Sequence, residues 1–128
     1  MKLASIDVGL KRIGVAICLT SDIVTPQAAI LRKNRNQAAR DVNIFLKEWE
    51  IEKLIVGFPS ASIDMQNRIN HFVSLLELKI PYEFCEENMS SIEAEDLMKG
   101  EIKYKRDGRI DSLAAKIILE RYLTKKIS

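Results

Sequence analysis

The sequence predicts a mixed α/β fold: a five-stranded sheet with helices on both faces. Three observations carry this prediction. The first thirty or so residues form short apolar runs broken by glycine and polar turns, as antiparallel neighbours do. From Gln37 the apolar spacing changes to that of a helix. Beyond that point helical and strand patterns alternate, which calls for crossover connections and parallel pairing. A length of 128 residues suits one domain over 1–128, and 47% hydrophobic with 30% charged residues is a globular balance.

The elements follow in order. Lys2–Asp7 alternates and breaks at Gly9, and Arg12–Leu19 returns as a mostly apolar strand, so the short Val-Gly-Leu-Lys connection predicts an antiparallel hairpin. A third strand over about Ile23–Leu31 contains Pro26, which has no N–H to give a ladder, so it belongs on an edge. The charged run Arg32–Asn36 reads as a loop. Ala39, Val42, Phe45, Leu46 and Trp49 share one helical stripe. Glu52–Gly57 is a short apolar strand, and Met65, Ile69, Phe72, Val73 and Leu76 mark a second helix. Pro81–Glu87 is a fifth strand. Ser90 and Glu93 form a capping-box pair before a third helix carrying Ala94, Leu97 and Met98. Gly100–Gly108 is a polar, basic loop, and a last helix from near Asp111 turns Ala114, Ala115, Ile118 and Tyr122 to a core. Trp49 and the helix methionines read as core.

Several function classes fall away. No apolar run approaches the ~20 residues of a membrane helix. The N-terminus carries charges within its apolar stretch and lacks a small-residue cleavage site, so it does not read as a signal peptide. Cys18 and Cys85 are far apart with no Cys-x-x-Cys spacing, which predicts a reduced, cytoplasmic chain with two small buried side chains. The single histidine, His71, lies in a helical pattern and reads as a surface residue, which leaves no His-based triad or His-rich zinc site. Neither Gly-x-Gly-x-x-Gly nor a Walker A motif is present. The net charge is only +2, but Lys99–Lys126 holds nine basic residues against four acids, a weak pointer to a polyanionic partner.

Carboxylates at strand ends and helix starts remain. Asp7 closes the first strand on the same face as Leu3 and Ser5, where an acid is costly unless paired, metal-bound or open to solvent. It is also a good turn starter before Gly9. Glu86 and Glu87 point to opposite faces of their strand, so only one can share a site with Asp7. Asp111 stands where a helix begins, the position of a plain N-cap. Three such acids reach one locus if the strands are neighbours and the last helix crosses the sheet. Hard carboxylate oxygens without histidine suit Mg²⁺ or Mn²⁺ rather than zinc, and a two-ion site of this kind hydrolyses phosphodiesters by in-line attack of water.

These residues also resemble a known family. Ile6-Asp7-Val8-Gly9-Leu10-Lys11-Arg12-Ile13-Gly14-Val15-Ala16 is similar to the N-terminal signature of the YqgF, or RuvX-like, family. Val56-Gly57-Phe58-Pro59 resembles its Val-Gly-Leu-Pro element, and Glu86-Glu87-Asn88-Met89-Ser90-Ser91-Ile92-Glu93-Ala94 its Asp-Glu-Arg-Leu-Ser-Thr-x-Glu-Ala motif. Arg109-Ile110-Asp111-Ser112-Leu113-Ala114-Ala115 resembles the family's final helix. The resemblance implies an RNase H-like fold with sheet order 3-2-1-4-5. It also implies catalytic, metal-holding acids at Asp7, Glu87 and Asp111. The activity implied is a nuclease maturing the 5′ end of pre-16S rRNA, with Holliday junction cleavage as the alternative. Asn88 replaces the family's arginine. The loop after Pro59, Ser60–Arg68, is shorter and lacks the usual glycines, though Arg68 matches an arginine at the start of the next helix.

Nucleic acid, as pre-16S rRNA or branched DNA, is therefore the expected partner of a monomer or homodimer that is not bound to a membrane. Lys103, Lys105, Arg106 and Arg109, just before Asp111, are expected to close over the phosphate backbone, with Tyr104 offering a ring for a base. Lys11 and Arg12 supply a second basic path. Two other classes stand beside the nuclease: a binding module without turnover, and a fragment of an actin-like ATPase. The same N-terminal signature resembles the first phosphate loop of such ATPases, but they need two lobes.

Overall fold

The computed structural model describes residues 1–20, 23–86 and 109–127, with side chains except at positions 109–111, 126 and 127. The strands are β1 (Leu3–Val8), β2 (Arg12–Cys18), β3 (Thr25–Leu31), β4 (Lys53–Phe58) and β5 (Tyr82–Glu86). The helices are α1 (Arg35–Glu48), α2 (Ile63–Leu76) and α3 (Arg109–Ile127). The strands form one sheet in the order β3-β2-β1-β4-β5, the expected order. β1 pairs antiparallel with β2 and parallel with β4, β2 pairs antiparallel with β3, and β4 runs parallel to β5. Pro26 lies on the edge strand β3, as expected of a residue with no N–H to give a ladder.

Alternation along the strands divides the core into two layers. Ala4, Ile6 and Val8 of β1, with Ile13, Val15, Ile17, Leu54 and Val56, pack against α1 and α2. Leu3, Ala16, Cys18, Ile55 and Cys85 face the other way, onto Ala115, Ile118, Leu119 and Tyr122 of α3. Ala114 is buried as well, so all four residues expected to face the core from the last helix do so. Both cysteines are buried and unbridged.

Helix boundaries follow the caps more closely than the apolar stripe. α1 starts two residues before Gln37, because the Asn34 side chain accepts from the Gln37 N–H at 2.8 Å while the Gln37 side chain reaches back to the Asn34 N–H. Arg35 and Asn36, within the expected loop, thus form its first turn. Ser62 caps α2 through the Met65 N–H. Trp49 is half-buried rather than core: it caps the C-terminus of α1 and packs on the rim of the α1/α2 layer. Met65 is likewise half-buried. The expected helix around Ala94–Met98 and the loop Gly100–Gly108 lie outside the described residues.

Candidate active site

The C-terminal end of β1 is set by a tight turn. Gly9 N–H donates to Arg12 C=O at 3.0 Å. Asp7, two residues earlier and opposite Gly14 of β2, is half-buried. It shares the face of Leu3 and Ser5, which is the face covered by α3.

Three hydrogen bonds fix how α3 crosses that face. Tyr122 Oη accepts from Lys53 Nζ at 2.8 Å, and Lys53 lies opposite Leu3. Ser5 Oγ donates to Ala115 C=O at 2.6 Å. Ser112 Oγ donates to Gln27 C=O at 2.5 Å, and Gln27 lies opposite Val15, itself opposite Ile6. Helix numbers fall as β1 numbers rise, so α3 runs antiparallel to β1 and its first turn heads toward the Asp7 end of the strand. Position 111 is in that turn, one helical turn before Ala115 and on the same side of the helix. The side chain of Asp111 lies outside the described set.

β5 delivers the chain to position 87, which lies outside the described residues. The alternation just before it is clear: Cys85 faces α3, with Sγ 3.6 Å from Ile118 C=O, whereas Glu86 accepts from Ser60 Oγ at 2.9 Å in the β4–α2 connection. Burial pushes the Cys85 thiol up, outweighing the nearby charges of Lys125 and Arg121 that act to lower it.

Among the described residues no three His, Cys, Asp or Glu side chains cluster as a ready metal site, Glu87 and the side chain of Asp111 being outside that set. The chemistry of the donors still discriminates. Asp7 offers hard oxygen on the α3 face, and the one imidazole, His71, lies on α2 across the sheet. Hard carboxylate oxygen of this kind suits a hard divalent cation.

Of the expected phosphate-binding residues, Lys11 is exposed in the turn, Arg12 is half-buried at the start of β2, and Arg68 is exposed on α2. Lys103, Lys105 and Arg106 lie outside the described residues, and Arg109 is the first residue of α3. Two further arginines escaped the sequence reading. Arg32 Nη1 donates to Gly9 C=O at 2.8 Å, and its guanidinium lies 5.6 Å from the centre of the Phe72 ring. Burial, then the charges of Arg35 and Arg68, lower its pKa. Arg35 Nη1 lies 3.0 Å from His71 Nε2, so the exposed histidine has a basic neighbour. These residues come from the end of β3 and from two helices, and no local pattern in the sequence announces their meeting.

Residues 1–125 match the family described as RuvX, Holliday junction resolvase. A protein of Sulfurovum sp. (strain NBC37-1) is 65% identical over 127 residues, covering 97% of this chain and 99% of its own. One of Helicobacter pylori (strain Shi470) is 52% identical over 122 residues, covering 91% and 90%. Both bear the name "Putative pre-16S rRNA nuclease". Among solved structures, the fowlpox virus resolvase in complex with Holliday junction DNA matches with a TM-score of 0.64 at 15% identity, covering all of both chains. The fowlpox virus Holliday junction resolvase in a second structure matches with a TM-score of 0.58 at 14% identity over 98% and 99% of the two chains. That likeness is one of fold and agrees with the RNase H-like architecture. With the family match and the relatives running along nearly its whole length, the chain belongs to the RuvX family of Holliday junction resolvases.

Proposed function

We propose that this chain is a metal-dependent nuclease that hydrolyses phosphodiester bonds of structured RNA, and that it matures the 5′ end of pre-16S rRNA in the cytoplasm. The observation that supports this reading most is a half-buried acid, Asp7, at the end of β1 under α3, in a chain whose full-length relatives carry that name. Asp7, Glu87 and Asp111 would hold Mg²⁺ or Mn²⁺. When bound, such ions lower the pKa of the attacking water and stabilise the leaving oxygen. The protein's own part is positioning. The β1–β2 ladder holds the backbone of Asp7, and Ser5 and Ser112 pin α3 to the sheet. Lys11, Arg12, Arg68, Lys103, Lys105, Arg106 and Arg109 would bind phosphates, which orient a strand without reading its sequence.

A second reading, a junction-resolving DNA endonuclease using the same acids, draws on the family's description and on the fold shared with the fowlpox resolvase. One experiment separates the two. A labelled pre-16S fragment and a four-way DNA junction are each incubated with Mg²⁺, with Mn²⁺ and with EDTA. Cleavage of the RNA near its 5′ end in either metal and none in EDTA is expected, and preferential cutting of the junction would move the assignment to DNA. Asp7→Asn should abolish cleavage with an unchanged circular dichroism spectrum. A fully active Asp7→Asn protein, cleared of host nucleases, would end the proposal.

A further inference from the structure

A groove of about 340 Å³ opens on the α1/α2 side of the β1–β2 turn, lined among others by Leu10, Arg32, Arg35, Arg68, His71 and Phe72. Three arginines converge without an acid: among the described residues none of them makes an ion pair, and Asp64, one turn before Arg68 on α2, is not bonded to it. Like charges gathered this way repel one another, and the charges of Arg35 and Arg68 act together on Arg32. An arginine keeps its charge under such pressure, so an anion from outside would relieve the repulsion.

The groove is also partly built. Arg32 is held from two sides, by its bond to Gly9 C=O and by the buried ring of Phe72, so little rotamer freedom remains to be lost on binding. Its backbone N–H donates to Lys11 C=O at 2.9 Å, which ties the end of β3 to the same turn. Gly9 is two residues beyond Asp7, about 7 Å along a strand. The groove and Asp7 therefore occupy the same end of β1, on opposite layers of the sheet.

We propose that Arg32, Arg35, Arg68 and His71 form a seat for a non-scissile phosphodiester of the nucleic acid, gripping the strand as it crosses the end of β1 from the α3 layer to the α1/α2 layer. This rests on the reading of the chain as an enzyme of nucleic acid. Planar guanidinium forks suit phosphate oxygens, and a second hold beside the acids would set the strand's register without choosing its sequence.

The test uses the full chain with a fluorescent twelve-residue oligouridylate in EDTA, so that binding is read without cleavage, over a salt series. Arg35→Gln with Arg68→Gln should weaken binding roughly tenfold or more, since charged hydrogen bonds are lost. It should also flatten the slope of log K against log salt by about 0.7 for each phosphate no longer neutralised. The control removes the same charge at the far end of the sheet, with Lys47→Gln and Lys79→Gln, and should change neither quantity. Equal effects in both double variants would reduce the seat to general charge and overturn it. An unchanged slope in the arginine variant, or no binding by the unmodified chain, would overturn it too. If the unmodified chain binds with the expected slope and the arginine variant loses it, yet neither RNA nor junction is cut in Mg²⁺ or Mn²⁺, the seat stands and the nuclease reading fails.

Discussion

A β-carbon at position 9 would come within 2.5 Å of the Arg12 carbonyl oxygen, closer than any real contact, and the atom it meets is backbone in the very turn that Gly9 closes. Gly9→Ala must therefore open the β1–β2 turn, and with it the carbonyl that holds Arg32. The expected cost is about 1–3 kcal/mol of stability, the range for forced overpacking, measured by urea denaturation, with activity falling further than stability because Asp7 is two residues away. The paired glutamates make a second test at this scale. Glu86 is engaged with Ser60 on the side away from Cys85, and we propose, on strand alternation, that Glu87 beyond the described residues takes the face of α3. Glu86→Gln should leave metal-dependent cleavage nearly intact and Glu87→Gln should remove it. Equal reductions in the two variants would show that both take part or that the assignment of faces is wrong.

α3 is held to the sheet by polar contacts at both ends of a buried apolar stripe, and Lys53 is the most connected of them. Its ammonium lies 2.8 Å from Glu83 on β5, donates to Tyr122 of α3 at 2.8 Å, and sits over the Tyr122 ring. Its pKa is raised, first by the hydrogen bond to Glu83 and then by that to Tyr122. A raised value in the folded state means that the charged form favours folding. That contribution is complete below the ordinary lysine pKa, about 10.4, and is lost as pH climbs through the raised value. Lys53→Met should thus lower the melting temperature at neutral pH, with the gap to the unmodified chain narrowing only in strongly alkaline buffer. A gap that stays constant up to that range would show that packing, not charge, makes the contact. None of this was legible in the sequence, because residues 53, 83 and 122 meet only through the sheet order. What local pattern could carry, it carried well. Alternation put Asp7 with Leu3 and Ser5, and Pro26 marked an edge. Ala114, Ala115, Ile118 and Tyr122 spelled out the buried side of α3. The apolar stripe misjudged the start of α1 because the Asn34–Gln37 capping box stabilises two polar residues that a hydrophobic count ignores. The same oversight hid Arg35, and with it the arginine groove.

Across the whole molecule, charge is distributed by place rather than by total. The net charge is +2, yet the segment from Lys99 to Lys126 carries +5 and residues 1–98 carry −3. Within that acidic part three arginines still converge beside the β1–β2 turn. A strand lying across the end of β1 would thus meet the arginine groove on the α1/α2 layer, and we propose that the basic residues preceding α3 in the sequence meet it on the other. Lys103, Lys105 and Arg106 lie outside the described residues; in the sequence they stand three to six residues before Arg109, where α3 begins. The last prediction concerns them. Replacing all three by alanine should weaken binding and lower the salt slope by roughly two to three units, since each phosphate left without its cation takes about 0.7–0.9 from the slope. Catalysis at saturating RNA should be far less affected, because phosphate contacts of this kind supply affinity and register rather than the reacting groups. If the loop and the arginine groove touch different phosphates, their slope changes should add in the combined variant, as they do for independent sites. A combined change no greater than the larger single one would mean that both grip the same phosphate. An unchanged slope in the triple variant would leave the loop without a role in binding, and the strand's second path would then run over Lys11 and Arg12.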